Sequence, residues 1–434
     1  MEQIKNSRRR FIRTTVSSAV GIAVFPHIIP ASSLGRGGVI PPSDRIVMGA
    51  IGVGSMGTGN MRDFLTKKEV QFIAVCDVDE NHRNRAKDIV DTANNNKECR
   101  TYLDFREFLE NENPDAVCIA LPDHWHAIIS VAVADKGIDI YGEKPLARTV
   151  REGRSIVDAV ERNDIIWQTG SWQRSRPQFH RACELVRNGF IGKVTRVEVG
   201  LPDAAALVGT PPVKDVPEYL DWDFWLGPAP EVPYRGICHW DWRWIMDYSG
   251  GQLTDWAGHH VDIAHWGLNL DRDGPVEVEG TGVYPREGIY DVPFEYDINC
   301  KYANGIEMRI ANQSRMPFGM GTAWYGDNGW IHVARGNRLT ASDPSILENE
   351  IPPEGIRLYY SRDHHQNFLD CVKTREETIT PVQTAHRSIS VALIGEIAML
   401  TGQKLIWNPD NERFTGNETA NRLLSRPFRS PWTL

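Results

Sequence analysis

Residues 45–57 read Arg45-Ile46-Val47-Met48-Gly49-Ala50-Ile51-Gly52-Val53-Gly54-Ser55-Met56-Gly57, and their order decides the fold. An unbroken apolar run of strand length stops at three glycines spaced G-x-G-x-x-G, and a helical pattern follows through about Lys67. The first glycine permits a tight turn, the second lets the backbone approach a pyrophosphate, and the third lets helix and strand pack closely. The helix N-terminus then faces the phosphates. A second apolar strand over 70–76 ends in Asp77, 25 positions after Gly52, where a carboxylate accepts from both ribose hydroxyls. Asp77 favours NAD over NADP, whose 2'-phosphate it would repel.

Further along, 116–121 reads as another buried strand, 125–136 as a helix and 138–141 as the next strand. Alternating strands and helices imply a doubly wound parallel sheet, a Rossmann-type α/β unit. Ligands of such sheets lie beyond the carboxyl ends of the strands. Two polar segments end there: Pro122-Asp123-His124-Trp125-His126 and Gly142-Glu143-Lys144-Pro145. They are the expected floor of a nicotinamide site. The cofactor contacts predicted are Gly52, Gly54, Ser55, Met56, Gly57, Asp77, Pro122, His126, Glu143 and Lys144.

From 192–199 the pattern changes to alternating apolar and charged residues, the mark of a half-exposed strand. Later strands are expected at 276–284, 296–302, 306–312 and 330–334, and helices at 364–374 and 386–401. The predicted organisation is an export signal and linker over 1–35, a dinucleotide domain over 45–170, an α+β substrate domain over 171–410, and a segment over 411–434 that packs back.

The net charge of -9 argues against a sequence-independent grip on nucleic acid. The seven cysteines are scattered, without a CxxC pair, and suggest neither a disulfide framework nor a cysteine zinc site. Ser7-Arg8-Arg9-Arg10-Phe11-Ile12-Arg13 runs into a mildly apolar stretch over 14–25 that is too short to span a bilayer. This is the order of an export signal, and the adjacent arginines are of the twin-arginine type. A periplasmic location, delivery by the twin-arginine machinery and no stable membrane span are therefore expected.

The glycine fingerprint, Glu143-Lys144-Pro145, and Gly250-Gly251-Gln252-Leu253-Thr254-Asp255-Trp256-Ala257-Gly258-His259-His260-Val261-Asp262 together resemble the glucose-fructose oxidoreductase and inositol dehydrogenase family, Gfo/Idh/MocA. The resemblance runs from about Arg45 to the C-terminus. It implies a catalytic group of Lys144, Asp255 and His259, a second domain with an open, largely antiparallel sheet, and a homo-oligomer, dimer or tetramer. It implies no metal.

Chemistry read from the residues agrees. Asp255, His259 and Asp262 fall on one face of a helix. Oxidation of an alcohol needs a base, for which His259 has the pKa range, and a positive charge on the oxygen, which Lys144 supplies. Asp255 is expected to orient His259 or to bind a neighbouring hydroxyl. His124, His126, His259 and His260 are not spaced as a zinc set, because His259 and His260 point to different helix faces. Seven of the 14 tryptophans lie within 222–266, and rigid rings with a polar edge suit sugars. Trp172, Arg174, Trp242, Arg243, His260 and Asp262 are the expected substrate contacts. The expected activity is oxidoreduction at a secondary hydroxyl of a sugar, glycoside or polyol, such as C3 of a glycoside, with NAD held tightly. Two alternatives stay open: an NAD-dependent glycosidase that works by transient oxidation, and a sugar-binding or regulatory protein without chemistry.

Overall fold

Strand β1 (Ile46–Ile51) is buried along almost its whole length, as its unbroken apolar run requires. In the computed structural model, which describes residues 41, 44–204 and 207–434, it lies inside a six-stranded sheet. The export signal and the twin-arginine motif lie outside the described residues. The sheet adds β2 (Val70–Cys76), β3 (Arg100–Tyr102), β4 (Ala116–Ile119), β5 (Asp139–Gly142) and β6 (Trp167–Thr169). Their order is β3-β2-β1-β4-β5-β6, and all five pairings are parallel. The chain reverses its winding between β1 and β4, so the crevice for a ligand opens there. Gly52, at φ +80°, makes that turn, and a side chain on it would meet the Ala120 carbonyl at 2.2 Å. A side chain at Gly57 would meet the Gly52 carbonyl at 1.9 Å, so the helix Ser55–Leu65 seats closely on β1 only as glycine allows.

The second sheet is mixed and mostly antiparallel. It contains β7 (Val194–Leu201), β8 (Glu277–Val283), β9 (Glu295–Lys301), β10 (Glu307–Asn312), β11 (Gly321–Gly326), β12 (Gly329–Ala334), β13 (Arg338–Ala341), β14 (Leu405–Asn408) and β15 (Arg413–Phe414). The order is β13-β12-β11-β7-β10-β9-β8-β14-β15, with β7 and β10 the parallel pair. Sequence periodicity finds β7 to β10 and β12. It misses β11, whose Gly-Thr-Ala-Trp-Tyr-Gly is bounded by glycines and reads as a loop, and the short strands β13 to β15, which are too brief for alternation to register.

The helix Gly251–Leu268 links the two sheets. It is buried on nearly every side and packs against β7, β11 and the helices Pro177–Arg187 and Val382–Thr401. Gly251, at φ +66°, makes the turn into it. Asn269 ends it in the left-handed conformation and donates to the His265 carbonyl. No helix among the described residues is long and apolar enough to cross a membrane.

Three of the expected substrate contacts, Arg174, Asp262 and His260, need correction. Most of the tryptophans are core residues: Trp222 and Trp225 stack at 4.8 Å, Trp125 and Phe224 at 5.6 Å, and Trp432 closes on Trp125 at 4.7 Å. Arg174 and Asp262, expected to touch substrate, are both buried and bonded to each other, Nε to Oδ2 and Nη2 to Oδ1, each at 2.8 Å. Arg174 also donates to Asp271 at 3.0 and 2.8 Å and lies 5.0 Å from the Trp266 ring. Burial works against its charge, but Asp262 and Asp271 more than offset this, and the guanidinium stays cationic. His260 is buried as well, stacked on Trp256 at 5.9 Å, with neither ring nitrogen bonded among the described residues. Arg174 and Asp262 lock the helix to its neighbours, whereas His260 stacks on a residue of the same helix.

Removing Asp262 breaks a buried bidentate pair and leaves Arg174 with Asp271, which is partly exposed, as its counter-ion. Asp262→Ala is expected to destabilise the fold by about 3 kcal/mol, seen as a lower Tm in calorimetry, with NAD affinity of the folded protein unchanged.

Candidate active site

The glycine loop opens onto a cleft of about 510 Å³. Gly52, Gly54, Ser55, Met56 and Gly57 line it, as do Asp77, Pro122, Glu143, Lys144 and Asp255. Part of the segment after β7 covers it: Leu220, Phe224, Cys238, His239, Trp242 and Arg243. That cover is tied to the loop after β2 by backbone, the Glu80 N–H donating to the Tyr219 carbonyl at 2.8 Å and Asp221 N–H to Val78 at 3.2 Å. Trp242 and Arg243 therefore line the same cleft as Lys144 and Asp255.

The walls fit a dinucleotide by their chemistry. A side chain at Gly54 would meet only His82, at 3.8 Å, so this part of the loop presents bare backbone. Asp77 accepts from Val53 N–H at 2.8 Å and from Asp79 N–H at 2.9 Å, which anchors the loop, and its remaining lone pairs suit ribose hydroxyls. Its carboxylate also raises the His82 pKa, chiefly by hydrogen bonding. Asp79, His82 and His239 bring ligand atoms within 4.8 Å of one another. Among the described residues they are the group spaced to take a metal ion, and none of the four imidazoles weighed from sequence belongs to it.

His126 departs from its expected role. It is buried under the floor, its Nδ1 2.6 Å from the Pro145 carbonyl and its Nε2 2.8 Å from the Leu121 carbonyl. Both ring nitrogens are used in joining the two strand-end loops, so it supports the site rather than touching the cofactor. His124 is likewise internal, with Nε2 3.0 Å from the Trp225 carbonyl and a pKa pushed by burial down to about 3.

Lys144 Nζ donates to Asp255 Oδ1 at 2.6 Å, joining the loop after β5 to the helix Gly251–Leu268. Burial alone would raise the Asp255 pKa, but Lys144 above all, with Arg243 and Arg335, brings it below the usual carboxylate range. Gly258 lets the lysine pass, since a side chain there would lie 3.3 Å from Lys144 Cβ. Asp255 thus holds the lysine; of the two roles expected for it, orienting His259 is replaced by this bond, and binding a neighbouring substrate hydroxyl stays an expectation. The His259 Nδ1 is buried without a hydrogen-bond partner among the described residues. Burial first, then the charges of Lys144 and Arg335, push its pKa well below the ordinary imidazole value, so it is neutral at neutral pH. Its ring lies 6.1 Å from Trp172 and 5.8 Å from Trp256.

Sequence reasoning missed Asn60, whose side-chain amide donates to Glu143 Oε1 at 2.9 Å, and Arg335, which stands between Trp172 and Trp256. Neither carries a local motif. Both are brought in by folding from distant positions.

The comparisons with known proteins define the class. Residues 46–171 match the oxidoreductase family's NAD-binding Rossmann fold, and residues 206–434 match its C-terminal alpha/beta domain. The chain belongs to the Gfo/Idh/MocA oxidoreductase family and carries its NAD-binding domain. Curated relatives include a glycosyl hydrolase family 109 protein of Shewanella pealeana, 28% identical over 211 residues, which are 45% of this chain and 46% of the relative. One from Shewanella baltica is 26% identical over 208 residues, 44% and 45% of the two chains. The chain spans about half the length of the curated relatives it matches. Among solved structures, the WlbA dehydrogenase of Bordetella pertussis, in complex with NADH and UDP-GlcNAcA, superposes with a TM-score of 0.61 at 16% identity, over 84% of this chain and 99% of that one. The myo-inositol 2-dehydrogenase of Lactobacillus plantarum gives 0.59 at 18%, over 83% and 99%. At such identities the likeness shows the fold.

Asp77→Ala removes the loop's anchor and the ribose acceptor together. It is expected to weaken NAD binding at least about 10-fold and NADP binding less, measured by fluorescence titration of each dinucleotide.

Proposed function

We propose that this protein oxidises or reduces a secondary hydroxyl of a sugar, glycoside or polyol. The observation that carries the reading is the Lys144–Asp255 pair in the dinucleotide cleft, with a neutral imidazole at His259 one helical turn from Asp255. When bound, NAD supplies the two-electron acceptor for the hydride that leaves the carbinol carbon. In the direction of oxidation, the Lys144 ammonium donates a hydrogen bond to the substrate oxygen and stabilises the negative charge that grows on it. The hydroxyl proton passes to His259, which burial keeps unprotonated and able to accept. Asp255 fixes the ammonium in place and balances its charge. The C–O single bond becomes a carbonyl, and reduction runs the same transfers backwards.

The sequence of residues 7–13, with export to the periplasm by the twin-arginine route, adds that the cofactor is loaded before export and retained, since free dinucleotide is scarce outside the cytoplasm. The cover formed by Leu220, His239 and Trp242 supports retention. A homo-oligomer remains part of the proposal, on the family resemblance. A second reading, glycoside cleavage by transient oxidation, is favoured by the glycosyl hydrolase family 109 relatives. Oxidation at C3 acidifies the C2 proton and permits loss of the C1 substituent. The non-catalytic alternative sits poorly with a site that keeps Lys144, Asp255 and His259.

Mass spectrometry of dinucleotide released from protein purified without added cofactor, followed by incubation with glycosides and polyols, tests these readings. NAD with a keto-sugar supports oxidoreduction, and NAD with a freed aglycone supports cleavage. Neither dinucleotide binding nor turnover would overturn both. Because the His259 pKa is lowered from 6.5, the base form persists as pH falls. The kcat/KM profile is expected to stay level from about pH 8 to below 6.5 and to drop only under that, and His259→Ala to lower kcat by about 10²- to 10⁴-fold.

A further inference from the structure

Arg335 follows β12 and lies between two indoles, its Cζ 4.4 Å from the Trp172 ring and 4.3 Å from the Trp256 ring. Both rings also flank His259. Its Nε and Nη2 are shut away from water, and neither has a hydrogen-bond partner among the described residues. These two nitrogens share one edge of the planar guanidinium, the edge that grips a carboxylate by two parallel hydrogen bonds. The indoles cover the faces of the cation but answer none of its N–H groups. A buried charged donor without an acceptor is costly, so its partner is expected to come from outside the protein.

The charge balance around it points the same way. Asp255 feels Lys144, Arg243 and Arg335 and has Lys144 within hydrogen-bond reach. Arg176 adds another cation, 4.8 Å from the Trp172 ring, and Glu143 is pushed by burial toward its neutral form. Cations therefore exceed carboxylates beside His259.

We propose that Arg335 receives a carboxylate of the substrate, so that the sugar oxidised or reduced here is an acidic one, a uronic acid or its glycoside. This rests on the oxidoreductase reading above and names its substrate class. A neutral hydroxyl would leave the excess charge unanswered. A tetrahedral phosphate fits less well than a planar carboxylate between two flat rings. Shielded from water, such a charge-assisted pair is stronger than at the surface.

The test compares each hexoside with the matching uronide, and adds uronate binding followed by tryptophan fluorescence, which needs no turnover. The uronide is expected to be preferred by about 10- to 100-fold in kcat/KM, through KM, or in Kd where turnover is absent. Arg335→Gln should collapse that ratio, and Arg335→Lys should restore part of it. Preference for the neutral sugar or for a sugar phosphate, or a ratio that Arg335→Gln leaves unchanged, would overturn the proposal. A merely structural arginine would shift Tm in both variants without moving the ratio. Failure of the oxidoreductase reading is told apart by dinucleotide release, which does not involve Arg335.

Discussion

The bond between Lys144 and Asp255, 2.6 Å long, is the contact on which the site depends. Its two ends come from different layers: the loop after a strand of the parallel sheet, and the helix that packs on the mixed sheet. Both side chains are only slightly exposed, at 12% and 21%, so solvent and salt screen the pair less than a surface ion pair. Without the carboxylate, the ammonium would face Arg243 and Arg335 unbalanced. Without the lysine, Asp255 would be a nearly buried anion whose burial favours protonation.

Burial sets the remaining protonation states. His259 is kept neutral because charging it would require hydration it does not have and would oppose Lys144 and Arg335. Glu143, under Gly170, is held by the Asn60 amide, and a side chain at Gly170 would meet the carboxylate at 2.6 Å. His126 draws the Leu121 and Pro145 carbonyls together from below. The parts that hold the cleft in shape are thus as polar as the parts that face it, and what separates them is whether their hydrogen bonds are already made. Arg174 is answered by two carboxylates, whereas Arg335 is answered by aromatic faces and has N–H groups left over.

The legible parts of this protein were those that short stretches of chain encode. A strand, a tight turn and a helix start lie within 46–65, so apolar periodicity and glycine chemistry place the dinucleotide loop, and Asp77 follows at the end of the next strand. Of the expected cofactor contacts, His126 alone does not line the cleft. The mixed sheet was legible where strands are long enough to alternate and not where they are short or bounded by glycines.

Partners were decided only in three dimensions. The spacing of Asp255, His259 and Asp262 names one side of a helix, but a helix of this kind is surrounded, and each residue meets a different neighbour: Lys144, the two indoles, and Arg174. Sequence by itself determined the dinucleotide loop, the alternation of layers and the residue types available for catalysis, because those follow from local backbone geometry and periodicity. Tertiary structure decided which charges pair and which are left facing the cleft, because pairing depends on the close approach of segments far apart in the chain and on the burial that this approach imposes.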